Sequence, residues 1–526
     1  MLPYSTMVLT TTLLAGIVFL VLLTYKVTKR SPFWNIRGPK SHSFVIGNIW
    51  EVFHRPTGQS EFEWQDTYGA VIRLKASFGS EQLMITDHKA LQHIFQETDY
   101  RWRKSKSRRE LSRLTSGRGL AWADGDSHRR QRRLMVPAFG APEAKHFLPY
   151  FLECANTLVS RWTDILSISP QQSEILNIPE WTTRFALDAL GQAAFDYDFG
   201  AIKNQDSDHS GLHSKKLSAK TFGIPTKGNL LTFELFRYVP SWVVEYLNDH
   251  NPKFALLHRV AQVATNTAKD LIAMKSIAVM ENKNKKDVMS ILVKANMDSQ
   301  NPNARLTEEE IWATIRVLIF AGHETSANTA AWMLLMGHED GQITVQDLES
   351  MPLLNAVVKE TLRVHPTNPL MSRTSVEDDI LPLSKPITTT TGELLQELLV
   401  PKGTTVLASV AAYNRNTDVF GEDASEFNPD RWLEPGHIAS GVSFGVYANL
   451  ATFSAGIRSC IGWRFAVLEL QTILYELLRN FEFSATPELD NVQRVTAFIM
   501  IPAIEGELEK GSRMPLKVTF APKDEE

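Results

Sequence analysis

Of the two cysteines in this 526-residue chain, only Cys460 has neighbours that suit a chemical role. It lies in the segment FSAGIRSCIG, Phe453 to Gly462, directly before the helical pattern WRFAVLELQTILYELL. A thiolate needs stabilisation of its negative charge, and the positive end of the following helix dipole would supply it. Arg458 adds a cation that suits a carboxylate partner. We therefore predict that Cys460 is a metal ligand or a nucleophile, the alternative being a buried and inert cysteine.

A second group of polar residues interrupts an apolar helical pattern. The segment AGHETS, Ala321 to Ser326, lies midway along a nearly unbroken apolar stretch from Leu306 to Gly337. Buried carboxylates are costly, so Glu324 and its neighbour Thr325 need a purpose there. Thr325 has an ordinary alternative, which is a hydrogen bond to the carbonyl group one turn earlier.

Charged residues are concentrated in two further places. The segment KETLR puts Glu360 and Arg363 on one helix face, where an exposed pair would stabilise the helix by only about 0.3 kcal/mol. Residues 101–133 contain twelve Lys or Arg, a run that suits a solvated face, an anionic lipid or a nucleic acid. The whole chain has 55 basic and 59 acidic residues, a net charge of −4, which argues against a nucleic-acid binder.

These residues must be positioned by a mainly helical fold. Helical patterns dominate from about residue 140 to 365, and Thr307 with Glu310 forms a capping box at the start of the long apolar helix. Because that helix is apolar almost all round, we expect it to run through the centre of the protein.

A small β portion completes the predicted fold. Short strand patterns flank a Phe78-Gly79-Ser80 turn within residues 70–87, and residues 400–406 read as a turn into a strand. The sequence shows neither an internal repeat nor an interdomain linker. We predict one large, mainly α domain with a small β portion over residues 31–526.

The N-terminus has the pattern of a membrane anchor. Residues 1–25 carry no charge, residues 8–23 are mostly apolar, and Lys26, Lys29 and Arg30 follow. The uncharged stretch is long enough to cross a bilayer core of roughly 30 Å, and the basic cluster keeps the rest of the chain cytosolic. A cleaved signal peptide would need a basic start and a small-residue cleavage site, which are missing. We predict a single transmembrane helix within residues 1–30.

The cysteine segment resembles the haem-binding signature of the cytochrome P-450 family, F-x-x-G-x-R-x-C-x-G. All five fixed positions match, at Phe453, Gly456, Arg458, Cys460 and Gly462. The resemblance implies that Cys460 is the axial thiolate ligand of haem (heme, iron protoporphyrin IX), that Arg458 binds a propionate and that Phe453 shields the sulfur. The two glycines would let the backbone approach a flat cofactor and the sulfur.

Two further segments resemble motifs of the same family. AGHETS is similar to its oxygen-activation segment, which implies that Glu324 and Thr325 relay protons to dioxygen. KETLR is similar to its E-x-x-R motif, and NPDRWL supplies the arginine that completes the family's structural triad. The implied triad is Glu360, Arg363 and Arg431.

The remaining implied cofactor contacts come from the basic segments. HRRQRRLMVPAF resembles a family element that holds the haem propionates, which implies that role for His128 and Arg132, with His128 in place of the commoner tryptophan. Arg373, ten residues after Arg363, has the spacing of an arginine that reaches the second propionate. The other arginines near position 130 would dock an acidic electron donor or form a solvated face.

Taken over the whole chain, the resemblance implies a membrane-anchored haem-thiolate monooxygenase. It implies dioxygen and an apolar small molecule as substrates, and an NADPH–cytochrome reductase as the partner. A single-pass position in the endoplasmic reticulum membrane with a cytosolic catalytic domain follows from the anchor. Several segments, such as NRNTDVFGEDASEFNPDRWL, are most similar to members from mushroom-forming fungi, which suggests hydroxylation of a terpenoid or other secondary metabolite.

The sequence also departs from the family pattern. Thr325 and Glu360 are 360 − 325 = 35 positions apart, some fifteen to twenty fewer than the family typically has, and the shortening falls between Gly337 and Pro352. A non-catalytic haem-binding membrane protein is therefore one alternative. Oxidation of xenobiotics or fatty acids is another. A peroxide-rearranging relative is disfavoured, because such enzymes do not need the intact Glu324-Thr325 pair.

Overall fold

The computed structural model describes residues 31–203, 226–251, 254–280, 287–298, 305–336, 351–497 and 499–522. Within these ranges, no helix is both long and apolar enough to cross a membrane. The anchor predicted at residues 1–30 lies outside the described residues, and so does nearly all of the shortened stretch before Pro352.

Helices are the main element of the described chain, as the sequence predicts, and include about half of its residues. In chain order, the helices α1 to α16 are Ile49–His54, Gln59–Tyr68, His88–Gln92, Lys106–Ser116, Gly125–Met135, Ala141–Ile168, Ile178–Phe195, Lys227–Leu235, Ser241–His250, Ala255–Met280, Val288–Asp298, Glu308–Met336, Pro352–Val364, Val410–Tyr413, Thr417–Phe420 and Trp463–Asn480.

The strands form four small sheets. In chain order, β1 to β12 are Val71–Lys75, Glu81–Ile85, Trp102–Arg103, Ser173–Asn177, Leu370–Ser375, Asp379–Thr388, Leu394–Val400, Thr405–Ser409, Phe481–Ala485, Val492–Thr496, Met500–Ile504 and Pro515–Phe520. The largest sheet has the order β1-β2-β8-β5-β3, in which the β2–β8 pair is parallel and the other pairs are antiparallel. The others are a three-stranded sheet, β4-β12-β9, and the hairpins β6–β7 and β10–β11.

The long apolar helix predicted from the sequence is α12, and its start is confirmed. The backbone N–H of Thr307 donates to Oε2 of Glu310 at 3.0 Å, and the N–H of Glu310 donates to Oγ1 of Thr307 at 3.2 Å. These reciprocal bonds are those of a capping box and satisfy two helix-end donors. Most of α12 is buried, and it packs mainly against α7, α10 and α16. The prediction of a central helix is therefore confirmed.

The predicted β segments are also present. Strands β1 and β2 flank a turn in which Phe78 has a φ of 56° and Gly79 a φ of 67°. The backbone from Val400 turns into β8, whose register against β5 pairs Val406 with Arg373. That pairing matters for the site, because it fixes the position of a candidate cofactor ligand.

Candidate functional site

The cysteine segment is a tight loop that is closed by its own backbone. The N–H of Cys460 donates to the carbonyl oxygen of Phe453 at 2.7 Å, and α16 begins three residues after the cysteine, at Trp463. Phe453 is buried, whereas Cys460 is accessible although the residue before it is buried. The loop therefore presents the thiol at a surface, while Phe453, Ala455 and Ser459 of the same loop are buried.

The surroundings of Cys460 set opposing effects on its thiol. Desolvation raises the pKa of Cys460, while the backbone N–H of Gly462 and the charge of Arg132 lower that pKa. A side chain that is accessible and yet strongly desolvated lies in a concave pocket instead of on an open surface. A thiolate in such a pocket gains from a cationic ligand such as a metal ion.

Gly456 allows a close approach between two backbone segments of the protein. Its φ is +62°, and a Cβ at this position would lie 1.9 Å from the carbonyl oxygen of Phe95. At this point the loop therefore lies against the backbone after α3, whereas Gly462 meets only ordinary contacts from the ring of Phe139. The backbone N–H of Gly462 interacts with the Cys460 thiol, and the approach of the two glycines to a flat cofactor stays a prediction.

Helix α5, which begins at Gly125, contacts the cysteine loop. Arg132 of α5 donates to the carbonyl oxygen of Ser459 at 2.8 Å and to its hydroxyl at 3.0 Å. His128, one turn earlier, is buried, and its Nδ1 lies 2.8 Å from the hydroxyl oxygen of Tyr100. Burial, followed by the charge of Arg458 and other nearby cations, lowers the pKa of His128 to about 3.

Beside these residues lies a cluster of cations, of which Arg373 is buried and the others are partly buried. Lys104, Arg108, Arg373 and Arg458 are close enough to affect one another electrostatically, and Asp124 is the carboxylate that faces them. Burial and then the charge of Arg458 lower the pKa of Arg373 to about 9. Burial likewise lowers the pKa of Lys104 well below its ordinary value. This cluster has more positive than negative charge and is built to receive an anion.

Two of the cations have well-defined contacts. Arg458 forms an ion pair with Oδ1 of Asp124 and donates to the carbonyl oxygen of Ala123 at 3.2 Å. Arg373 projects from β5 over the ring of Phe95, with its guanidinium carbon 4.5 Å from the ring centroid. Nε of Arg458 and Oδ2 of Asp124 are buried without a hydrogen-bond partner among the described residues, so this pair can accept further polar contacts.

The middle of α12 has one accessible face. Ala321 is exposed and Thr325 partly so, although the residues around them on the helix are mostly buried. The hydroxyl of Thr325 donates to the carbonyl oxygen of Ala321 at 2.7 Å, which is the ordinary back-bond that the sequence allows for. Gly322 packs against α7, since a Cβ there would lie 2.8 Å from Cδ1 of Leu190.

Glu324 lies on a different face from Thr325. Its side chain is buried, and Oε1 lies 3.6 Å from Nε2 of His323, which is also buried. Burial would lower the pKa of His323, but the interaction with Glu324 and the carbonyl oxygen of Ile319 outweigh it, and the pKa is raised. The structure therefore places Thr325 at the accessible face and Glu324 behind it.

The predicted triad is assembled and wholly buried. Arg363 donates to both carboxylate oxygens of Glu360, at 2.8 and 2.7 Å, and Nε of Arg431 donates to Oε1 at 3.0 Å. The indole N–H of Trp432 donates to Oε2 at 2.9 Å. Arg363 also donates to backbone carbonyls, including that of Asn414 at 2.8 Å. The triad is therefore a structural core element, not the exposed pair of ordinary helices.

Asn414 connects the triad to the cysteine loop. Its side-chain amide donates to the carbonyl oxygen of Arg363 at 3.1 Å and to the hydroxyl of Thr452 at 2.9 Å. Its Oδ1 accepts from the N–H of Ala451 at 3.0 Å. Ala451 lies two residues before Phe453. The hydrogen bonds of Asn414 therefore join the start of the cysteine loop to the buried triad.

Comparison with known proteins places the chain in a family. The family model described as "Cytochrome P450" matches residues 36–339 and 335–504, which together span most of the chain. The chain belongs to the cytochrome P450 family. The two matched pieces overlap at residues 335–339. This overlap lies at the start of the stretch before Glu360 in which the chain has fewer residues than the family typically has.

Individual P450 relatives cover nearly the whole length. Cytochrome P450 monooxygenase 81 of Postia placenta is 31% identical, with 96% of each chain covered. Ganoderic acid synthetase CYP5150L8 of Ganoderma lucidum is 31% identical, with 92% of this chain and 94% of the relative covered. Cytochrome P450 monooxygenase claP of Ampulloclitocybe clavipes is 28% identical, with 95% and 96% covered. The predicted similarity to P450s of mushroom-forming fungi is confirmed.

P450s are haem-thiolate monooxygenases, and the residues present fit that cofactor. Cys460 offers one accessible sulfur at the start of a helix, as an axial iron ligand requires. Haem carries two propionate groups. The cations around Asp124 carry more charge than this one carboxylate, so they are suited to bind the propionates. The site residues would hold haem as follows: Cys460 on the iron, and Arg458, Arg373, Arg132 and His128 toward the propionates.

Several residues of this site could not be picked from the sequence. Lys104 and Arg108 belong to the same basic run as surface arginines such as Arg129, and only their burial separates them. Asp124 and Tyr100 have no motif at all. Arg130, which the sequence assigns to a docking or solvated face, is in fact paired with Glu310 at the start of α12.

Proposed function

We propose that this P450 hydroxylates a terpenoid or other apolar secondary metabolite. In the balanced reaction, substrate R–H, dioxygen, two electrons and two protons give R–OH and water. The observation that carries the proposal is the accessible thiol of Cys460 combined with the accessible Thr325 face of α12. The name of one relative, ganoderic acid synthetase, supports a secondary-metabolite substrate.

Bound haem would supply the activation of dioxygen and the oxygen transfer itself. The protein's own residues do the rest. Cys460 would hold the iron as a thiolate, and the Gly462 N–H and Arg132 favour that thiolate by stabilising its negative charge. Thr325 presents a hydroxyl in the pocket, and Glu324 provides a titratable group next to it in the chain. The buried apolar side chains around α12 exclude bulk water from the proton path.

The test of this function is turnover by the full-length protein. Haem-loaded protein in vesicles, supplied with a reductase and NADPH, is incubated with a panel of terpenoids, fatty acids and aromatic xenobiotics. We expect mono-hydroxylated products from the terpenoids, with NADPH consumed in proportion. Products only from fatty acids or xenobiotics would overturn the substrate class. Haem uptake and reduction without any product would favour the non-catalytic alternative.

We also propose that the electrons come from an NADPH–cytochrome reductase with an acidic docking surface. Arg133 of α5 is exposed one residue after the arginine that contacts the cysteine loop, and Arg464 is exposed at the start of α16. Opposite charges across such a surface speed association and make it sensitive to salt. Replacing both residues with Glu should slow the first electron transfer and reduce its salt dependence. Lys402→Glu, at an exposed site on the β7–β8 turn, is the control.

We further propose that the protein is held at the endoplasmic reticulum membrane by residues 1–30, with the body in the cytosol. Exposed aromatic and aliphatic side chains on the body support a membrane position. Phe44, Val45 and Tyr238 are exposed, and so are Trp242 and Tyr246 on α9. The backbone N–H of Phe78 bonds to Val45 and its ring meets that of Tyr238, so the two regions adjoin. Together they form an apolar surface that suits lipid.

Deletion and substitution can separate the anchor from this apolar surface. Removing residues 1–30 should release most of the protein from vesicles while haem binding stays intact. The remaining binding should fall further when Trp242 and Tyr246 are replaced with Ser. Full release by the deletion alone would show that the surface does not bind lipid. Unchanged pelleting of the deletion variant would show that residues 1–30 are not the main anchor.

A further inference from the structure

Immediately before Thr325, two residues of α12 form a buried acid–base pair. Nε2 of His323 lies 3.6 Å from Oε1 of Glu324, and both side chains are more than nine-tenths buried. The other ring nitrogen of His323, Nδ1, is hydrogen-bonded to the carbonyl oxygen of Ile319, one turn earlier. The imidazole is therefore fixed at one nitrogen and faces the carboxyl group with the other.

This geometry requires a proton between the two groups. A carbonyl oxygen only accepts, so Nδ1 of His323 carries its hydrogen. A neutral imidazole would then turn an unprotonated Nε2 toward Glu324, and an ionised carboxylate would oppose it with another lone pair. Two facing acceptors in a buried site are unfavourable. The pair is stable when it holds one exchangeable proton, either on Nε2 or on the carboxyl group.

Competing partners for this proton are few. Among the described residues, none donates a hydrogen bond to Oε1 of Glu324. The charged groups on the helices packed against α12 are otherwise engaged or distant. From α16, Glu469 lies beside Ser326, and from α7, Asp188 accepts from the N–H groups of Ala201 and Ile202.

The other packed elements carry charged pairs that involve neither His323 nor Glu324. These are Glu360–Arg363 on α13, Glu110–Arg113 on α4, and Lys275 of α10 with Asp287. Strand β11 carries no charged residue, and the one on β9, Glu482, is exposed. Consistent with this, burial lowers the pKa of His323, whereas Glu324 and the carbonyl oxygen of Ile319 raise it.

Thr325 cannot supply the proton by itself. Its hydroxyl hydrogen is directed at the carbonyl oxygen of Ala321, at 2.7 Å, so the oxygen is left as an acceptor on the accessible face. A hydroxyl in this state passes on a proton only when it receives one. The nearest titratable group along the helix is Glu324.

We propose that His323 is a positioning residue for oxygen activation, which fixes Glu324 and shares with it the proton delivered toward Thr325. This inference rests on the proposed monooxygenase function. Each turnover consumes two protons, and the pair supplies one of them through the O–H or N–H bond that breaks. The proton is regained from solvent before the next turnover, so the pair is unchanged overall.

The first test does not depend on turnover. The haem-loaded, reduced protein with carbon monoxide is diamagnetic, so its histidines can be titrated by NMR after ¹⁵N-histidine labelling. The His323 signal is assigned by its loss in His323→Gln. We expect a pKa above 6.5 that falls in Glu324→Gln, while His42→Gln, at an exposed site, changes neither. A pKa of His323 at or below 6.5, or one indifferent to Glu324→Gln, overturns the proposal.

The second test measures coupling, which is product formed per NADPH, between pH 5.5 and 9. In the wild type, coupling should fall as pH rises through the titration of the pair. His323→Gln should lower coupling at neutral pH at least about tenfold, less than the roughly 10²-fold of a lost acid or base, and should remove that step in the profile. The double variant with Glu324→Gln should be no worse than Glu324→Gln alone.

The outcomes separate this inference from the function on which it rests. An unchanged pH profile in His323→Gln, even with a lower Tm, would show a merely structural histidine and overturn the proposal. Effects of the two single variants that multiply would also overturn it. A raised and Glu324-dependent pKa without turnover on any substrate would count against the proposed function and leave the pair as described.

Discussion

Arg132 and Ser459 are joined by two hydrogen bonds across 327 residues of chain. The guanidinium donates to the carbonyl oxygen at 2.8 Å and to the hydroxyl at 3.0 Å. Since Ser459 directly precedes Cys460, this contact holds the backbone of the ligand loop. The same cation lowers the pKa of the Cys460 thiol. One side chain therefore both shapes the loop and favours the thiolate.

Arg132→Gln should weaken haem binding more than the loss of the Ser459 hydroxyl does, because it removes both the positive charge and the contact with the loop backbone. A hydrogen bond from a charged group contributes roughly 1.5–3 kcal/mol, so we expect faster haem loss in Arg132→Gln. The reduced, carbon-monoxide-treated variant should show less of the red-shifted band and more of the unshifted one. Ser459→Ala keeps the carbonyl contact and should stay close to wild type. Equal effects of the two variants would contradict this account.

Cys460→Ala should abolish the red-shifted band of the reduced, carbon-monoxide-treated protein. The reason is that this thiol is the accessible one, at the start of α16. Cys154 is buried in α6, and burial raises the pKa of its thiol strongly, so Cys154→Ser should leave the spectrum unchanged. Retention of the band without Cys460 would refute its role as the haem ligand.

Thr325→Ala should lower product yield per NADPH while leaving haem content and substrate binding intact. The lost hydroxyl donates to the backbone carbonyl of Ala321, and general acid–base help of this kind contributes roughly 10²- to 10⁴-fold. Thr314 forms the same kind of back-bond on the same helix, at 2.7 Å to Glu310, but is completely buried. Thr314→Ala is the matched control, and equal coupling in both variants would rule out a role for Thr325.

Glu469→Gln should stabilise the protein at alkaline pH. Burial raises the pKa of this carboxyl from 4.5 to about 8 and outweighs the opposing interaction with the hydroxyl of Ser326. Between these values the folded state holds a proton that the unfolded chain has released, so stability falls as pH rises. The variant should match wild type near pH 4.5 and have the higher Tm at pH 8. Glu482→Gln, at an exposed site, should follow the wild-type curve throughout.

Glu360→Gln should destabilise the protein far more than a surface substitution does. It leaves Arg363 and Arg431 buried without their counter-charge, and breaking such a pair costs about 3–5 kcal/mol. Glu180→Gln removes the partly exposed partner of Arg184 on α7, and an exposed pair of that kind contributes about 0.3–0.5 kcal/mol. Urea unfolding of the haem-loaded proteins would measure both. Similar losses in the two variants would show that the triad is not a core element.

Local rules of the sequence predicted local features well. The Thr307–Glu310 capping box is decided within one helical turn, and the spacing of the two residues is sufficient to place it. The strand–turn–strand pattern around Phe78 is equally local. The role of the cysteine loop is predictable because its five fixed positions lie within ten residues.

The sequence does not predict which charged side chains are buried, because burial depends on distant parts of the chain. The spacing of Glu360 and Arg363 fixes a shared helix face, but the groups that cover it include the carbonyl oxygen of Asn414, 51 residues on. Nothing in the sequence distinguishes Lys104 from a surface lysine. Its desolvation beside Arg373 follows from the packing of the chain around β5. Glu324 looks from its motif like a pocket residue, yet its side chain is turned toward His323.

The residues that would hold haem are spread widely along the chain, and this affects how the site is assembled. Lys104 and Arg132 are synthesised first, Arg373 much later, and Arg458 and Cys460 later still. The cations and the thiol therefore meet only after all of these segments have been made and have packed together. The full set of residues could hold haem only after that packing, so cofactor binding and folding of the chain should be coupled.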